Sequence, residues 1–290
     1  MELQWPLIAF TVFVCLSAGT LSFTALAGMR RDCARIQMPG IVVAFAAIVI
    51  GGIASALHLQ TPMNYFGQFG NPSSGINQEL VCVALAAIAM IAYFVQLKKK
   101  GEAGTVLKVA SIVVSAVLVI VMAHSYLMAA IPVWNTLLLP AYYLANAAAL
   151  GGVTVVLVGT ALHLDEGSLK RLGLYALAAV CALALVAVAY AVFICALGGG
   201  SFTEVLHTDV TTVPPTDPAA IGARMLGGDL ALLFWGAVVA VGLALPLAVL
   251  ALRRERLAVA PLAVALGLLL VGSVAFRMLL YCAGGTFMTY

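Results

Sequence analysis

Between two long apolar runs the chain carries the polar segment His58-Leu59-Gln60-Thr61-Pro62-Met63, which continues to Gln78-Glu79. If the flanking runs are helices, an imidazole and a carboxylate lie close together at one face of a membrane. A neutral imidazole and a carboxylate both accept protons, so the pair can take the two protons that a quinol loses on oxidation. The leading expectation is therefore quinol oxidation, with His58 and Glu79 as proton acceptors. Because neighbours joined by one short loop usually pack together, the two side chains are expected to share a pocket between the second and third spans.

The elements that must hold these groups are membrane helices. Of 290 residues, 64% are hydrophobic and only 9% charged, with a mean hydropathy of +1.15. Such a chain has too few polar side chains to coat a soluble globule. A spanning helix needs roughly 20 mostly apolar residues. Eight stretches qualify: Pro6 to Gly28, Pro39 to Leu57, Leu80 to Leu97, Val106 to Ile131, Leu138 to Leu162, Leu172 to Leu197, Met225 to Leu252 and Leu257 to Leu280. The expected fold is an all-α integral membrane protein, a single eight-helix bundle over residues 1–290. Its larger connections, 58–78, 131–140 and 198–222, lie at one face and are expected to form the mouth of the quinol site and the docking face for partners.

Orientation follows from charge. Met1-Glu2-Leu3-Gln4 has no basic residue ahead of the first apolar run, unlike a secretory signal. Arg30, Arg31 and Arg35 follow span one, Lys98 to Lys100 and Lys108 follow span three, Lys170 and Arg171 follow span five, and Arg253, Arg254 and Arg256 follow span seven. Basic residues in short loops face the cytoplasm, so both termini are expected outside. The net charge of +3 is thus a topology signal and implies no nucleic acid partner. Six cysteines show no metal-ligand spacing, and only Cys195 and Cys282, both near outer ends, are placed where they could pair.

Glu79 lies nineteen positions before Lys98, His124 sixteen after Lys108 and Arg277 twenty-one after Arg256. At 1.5 Å per residue each sits about 24 to 32 Å from the inner boundary. The ionisable groups therefore gather at the outer face, with Asp229 near the outer end of span seven and Tyr281 one turn beyond Arg277. Secondary transporters place their charges near the midplane at broken helices, and a bis-imidazole haem needs two histidines stacked across it in the bilayer. Only His58 and His124 share a face here, since His163 lies at the opposite end and His207 in a loop.

Simpler roles remain open for each residue. His58 can cap a helix, and Glu79 can be a first-turn carboxylate with Asn77 as N-cap. His124 and Tyr126 can be interfacial anchors, Arg277 can snorkel to headgroups, and Arg224 and Asp229 can be helix-end groups. The repeated Ala-Leu-His-Leu at Ala56 and Ala161 ends at opposite faces and reads as coincidence.

The run His58-Leu59-x-Thr61-Pro62-Met63-x-x-Phe66, followed by Gln78-Glu79, resembles the membrane anchor subunit of the dimethyl sulfoxide reductase family. So do Trp5-Pro6-Leu7, Ile131-Pro132-Val133-Trp134-Asn135-Thr136, and Arg277 with Tyr281. The resemblance implies a subunit of a bacterial inner-membrane complex in anaerobic respiration. Such a subunit carries no haem or metal, anchors an iron–sulfur subunit and a molybdenum catalytic subunit, and oxidises menaquinol for them. It maps the family's quinol-site histidine and glutamate onto His58 and Glu79. His124, Arg277 and Tyr281 are expected to complete the quinol pocket. A small-molecule permease and a purely structural anchor are the competing readings.

Overall fold

A computed structural model describes residues 3–58, 74–128, 131–197, 218–253 and 256–283. These residues form helices and turns with no strand among them. In chain order the helices are α1 (Trp5–Gly28), α2 (Gln37–His58), α3 (Gly75–Lys100), α4 (Thr105–His124), α5 (Leu138–Ala161), α6 (Glu166–Ala196), α7 (Pro218–Gly227), α8 (Leu245–Arg253) and α9 (Val259–Ala283). A 3₁₀ turn over Arg31–Ile36 leads into α2, and a π-wound stretch, Leu232–Ala244, leads into α8. Eight helical segments are long and apolar enough to cross a membrane, the seventh being the π stretch joined to α8.

The expected runs are present with several shifted borders; α6, for one, starts at Glu166, six residues ahead of the apolar run, behind its N-cap Asp165. α3 begins at Gly75, behind the extended residue Ser74, so Glu79 lies just beyond the first helical turn and Asn77 is inside the helix rather than its N-cap. α4 ends at His124, and Tyr126 and Leu127 continue it only as tight turns. The seventh run divides: Met225 belongs to the short helix α7, and Arg224 and Asp229 close the turn behind it with bonds of 2.9 and 2.7 Å. The π stretch keeps i→i−5 bonding to its end, where the Leu245 amide donates to the Ala240 carbonyl.

Within lipid, apolar surface gives helices little reason to prefer one another, so close approach depends on small residues and buried polar bonds. α1 and α5 are the most buried spans, and α1 packs against α2, α4 and α5. At the α1–α5 crossing a Cβ on Gly19 would collide with the Ala147 carbonyl, and one on Gly151 with the Gly19 backbone. Gly242 and Gly272 make a similar crossing between the π stretch and α9. Polar bonds reinforce these seams: Ser17 Oγ donates to the Ala44 carbonyl at 2.7 Å, and Asn146 Nδ2 to Ser273 Oγ at 2.6 Å.

Alternating spans bring the start of α1, the end of α4 and the end of α9 together, which we call the terminal end. At the opposite, basic end, Asp32 accepts from Ser168 Oγ at 2.8 Å and Arg171 Nη2 at 2.9 Å, tying the first connection to α6.

Candidate functional site

Glu79 heads a buried stripe on α3 that runs through Cys82, Ala86, Met90, Tyr93 and Leu97 at helical spacing. The stripe carries the carboxylate inward, leaving Glu79 only 8% exposed. Its Oε1 has no hydrogen-bond partner among the described residues. A buried carboxylate oxygen without a donor is costly, and a ligand that brings a proton to it would relieve that cost. The close approach of α3 to α4 fixes its neighbours: a Cβ on Gly75 would stand 3.1 Å from Ser125 Cβ, beside Tyr126.

Tyr126 connects Glu79 with the rest of the cluster. Its ring lies 6.0 Å from Trp134 and 6.3 Å from Tyr143, while Trp134 and Tyr281 meet edge to face at 5.2 Å. Burial pushes the Tyr126 phenol well above its ordinary value. Tyr143, Glu79 and Tyr281 add to that push, and Arg277 opposes it. Glu79 and Arg277 thus act on one hydroxyl without pairing with each other. Trp134 is fixed by its own bond, Nε1 donating to the Leu280 carbonyl at 3.0 Å.

Arg277 does not snorkel. It lies nearly two turns inside the end of α9 and is 1% exposed. Its Nε donates to Thr11 Oγ1 at 2.7 Å, and its Nη1 to the Ser273 carbonyl at 2.9 Å and to Asn146 Oδ1 at 3.4 Å. Nη2 donates to the Thr11 carbonyl at 3.2 Å and approaches Cys15 Sγ at 3.3 Å, and the guanidinium sits 4.6 Å from the Tyr143 ring centroid. Among the described residues no carboxylate pairs with it. Dipoles and a π face thus solvate the cation, and its positive field stays unneutralised nearby.

Arg277, Tyr281, Tyr126, Tyr143 and Trp134 line one cavity with Thr11 and Leu7. Its volume is about 10 Å³, room for roughly one water and far too little for a quinone ring. Arg277 and Tyr281 therefore form, with Tyr126 and Trp134, a close-packed floor with no room for the ring itself.

The other expected residues are placed differently. The backbone of His58 ends α2, but its side chain and the segment 59–73 lie outside the described residues, as does the proposed sharing of a pocket with Glu79. Most of the 198–222 connection lies outside them too, whereas 131–140 is described and supplies Trp134. His124, expected in the pocket, is exposed at the end of α4, off the buried face that runs through Ser115, Leu118, Val119, Met122 and Ala123, and is not among the residues lining the cavity before Arg277. Arg224 and Asp229 pair with each other at 2.7 Å away from the cluster, and Asp229 is held below its ordinary value chiefly by the Arg224 bond. Cys195 and Cys282 are free thiols.

Sequence reasoning missed Thr11, Cys15, Tyr143 and Asn146 as the cradle of Arg277. Asn146 inside an apolar run was the one available signal, since an amide there needs a partner. Compared with known families, residues 1–283 match the model described as DMSO reductase anchor subunit (DmsC). No individually curated protein matches the chain.

Proposed function

Since the chain belongs to the DMSO reductase anchor subunit family, and so anchors the catalytic and electron-transfer subunits of a reductase complex in the membrane, we propose that it also oxidises quinol for them. The observation that carries this reading is the Glu79 carboxylate, buried at the terminal end with one oxygen unbonded. A quinol hydroxyl is a donor of the kind that oxygen lacks. His58, at the end of the adjacent span, is the second acceptor.

In this reading the quinol ring lies above the aromatic floor, between Glu79 and the end of α2. Glu79 takes one proton and neutral His58 the other. The two electrons released leave for the iron–sulfur subunit, and from there reach the molybdenum subunit. Oxidation needs electron density to build on the quinol oxygen as its proton departs. The field of Arg277, which pairs with no carboxylate among the described residues, favours that charge from behind Tyr126 and Tyr143. Menaquinol is the proposed donor, and the bacterial inner membrane the proposed location, with the site on its outer face. Neither haem nor metal is required in this subunit, because the partner's clusters dock at the same end.

The test is binding. A fluorescent quinol analogue titrated into the purified complex should bind at one site, and Glu79→Gln and His58→Ala should each weaken it. A permease would bind its own solute without co-purifying iron–sulfur and molybdenum subunits. A purely structural anchor would co-purify them but bind no analogue.

A further inference from the structure

A second cavity lies away from Glu79, toward the basic end. Between α2 and α3 is an open groove of about 340 Å³, lined by Ile41, Phe45 and Ala46 from α2 and by Met90, Ile91 and Phe94 from α3. That volume falls within the roughly 300–1,000 Å³ of ligand pockets. Its lining is apolar throughout. Ile41 stands one turn into α2 from Gln37 and Phe94 one turn before Lys98, so the groove begins about 6 Å from the basic end.

Charge distinguishes this groove from other lipid-facing surface. Lys98 Nζ sits over the ring of Phe94, a groove-lining residue, at 5.8 Å from its centroid. Exposed Lys99 and Lys100 follow it, and exposed Arg31 and Arg35 lie on the approach to α2. Among the described residues around this mouth the carboxylates are Asp32, which Arg171 and Ser168 already occupy, and exposed Glu102, against the five basic residues Arg31, Arg35, Lys98, Lys99 and Lys100. A channel for hydrocarbon thus opens beneath a rim on which basic residues outnumber carboxylates. We propose that the groove is a binding site for one anionic diacyl phospholipid, its acyl chain against Phe45, Met90 and Phe94 and its phosphate at Lys98 and Lys99. This holds independently of the quinol reading. A quinol tail is the competing occupant, told apart by its lack of charge: an isoprenoid chain gains nothing from Lys98 and Lys99.

Native mass spectrometry of the purified full-length chain tests it, after equilibration with micelles holding equal phosphatidylglycerol and phosphatidylethanolamine of matched chain length. One phosphatidylglycerol should be retained in preference. Lys98→Gln with Lys99→Gln should weaken it by about 25-fold, about fivefold per charge, leaving phosphatidylethanolamine unchanged. Ala46→Phe, which fills the groove, should displace both lipids. Circular dichroism would verify the fold, and if Ala46→Phe does not fold the lysine pair decides alone. Equal retention of the two lipids, or a lysine pair without effect on phosphatidylglycerol, overturns the proposal. So does retained quinone that Ala46→Phe releases, which would give the groove to the quinol tail.

Discussion

Glu79 and Arg277 are two buried ionisable side chains that solve the same problem in opposite ways. Arg277 has its donors met by Thr11, Asn146, Ser273 and Cys15, whereas one oxygen of Glu79 has no donor. The first arrangement is complete in the protein alone, and the second is completed by a ligand. Arg277→Lys would keep the charge but give up the planar fork that reaches α1, α5 and its own helix at once. We expect a loss of about 2–4 kcal/mol, since bonds to charged groups contribute roughly 1.5–3 kcal/mol each and lysine can retain some of them. Thermal unfolding in detergent measures it, and an unchanged melting temperature would contradict the cradle. Glu79 was legible in the sequence because it opens an apolar run nineteen positions before Lys98, which places a carboxylate at the outer face. The cradle was not, because threonine, cysteine and tyrosine in an apolar run look like packing residues, and only the fold shows which guanidinium they face.

Helices were legible wherever the apolar run was unbroken, and their borders were not where a polar first turn extends the helix beyond that run, as in α3 and α6. α3 starts five residues earlier than the apolar run, because Ser74 is extended and Gly75 fits against Ser125. The seventh run hid a break at Gly227-Gly228, where Arg224 and Asp229 close the turn. The two Ala-Leu-His-Leu copies illustrate the limit of local pattern: His58 ends α2, whereas His163 adopts φ 53° in the α5–α6 turn. At the crossings the controlling residues are small. Gly151→Leu would drive a side chain into the Gly19 backbone and should destabilise the bundle by about 3 kcal/mol or more, read by thermal unfolding, while Gly267→Leu, with open space around it, should be tolerated.

A pH effect belongs to α6. Its N-cap Asp165 accepts the Ser168 amide at 2.9 Å, a bond that holds the carboxyl below its ordinary value. A lowered folded value means the cap stabilises the helix in full above the usual carboxylate range and is lost as pH falls through that lowered value. Hydrogen exchange at Ser168 and Leu169 should therefore quicken on acidification below about pH 4. Asp165→Asn, which still caps but cannot titrate, should remove that dependence; a slope that persists in the variant would locate the titration elsewhere.

For the whole molecule, family membership and eight spans establish an anchor, and the quinol reading depends on which compartment the terminal end faces. The Lys and Arg residues of the basic end predict that reporters fused after Lys100 and after Arg256 are cytoplasmic. A reporter in the 202–218 segment should be external, and the reverse pattern would move the proposed site to the other face. The eight spans and their common basic end were readable from hydropathy and charge alone. The small cavity before Arg277 was not, since volume arises from how side chains of α1, α5 and α9 interlock.

The central claim is that Glu79 accepts a quinol proton, and the most direct measurement is quinol-dependent reduction by the assembled complex carrying Glu79→Gln. The amide keeps the shape of the carboxylate and removes its basicity. Turnover with quinol should fall by about 100-fold or more, the scale of a lost general base, while an artificial donor feeding the iron–sulfur subunit directly should reduce the complex at the normal rate. Unchanged quinol-dependent turnover in a complex that still assembles would contradict the claim and leave the protein as an anchor alone.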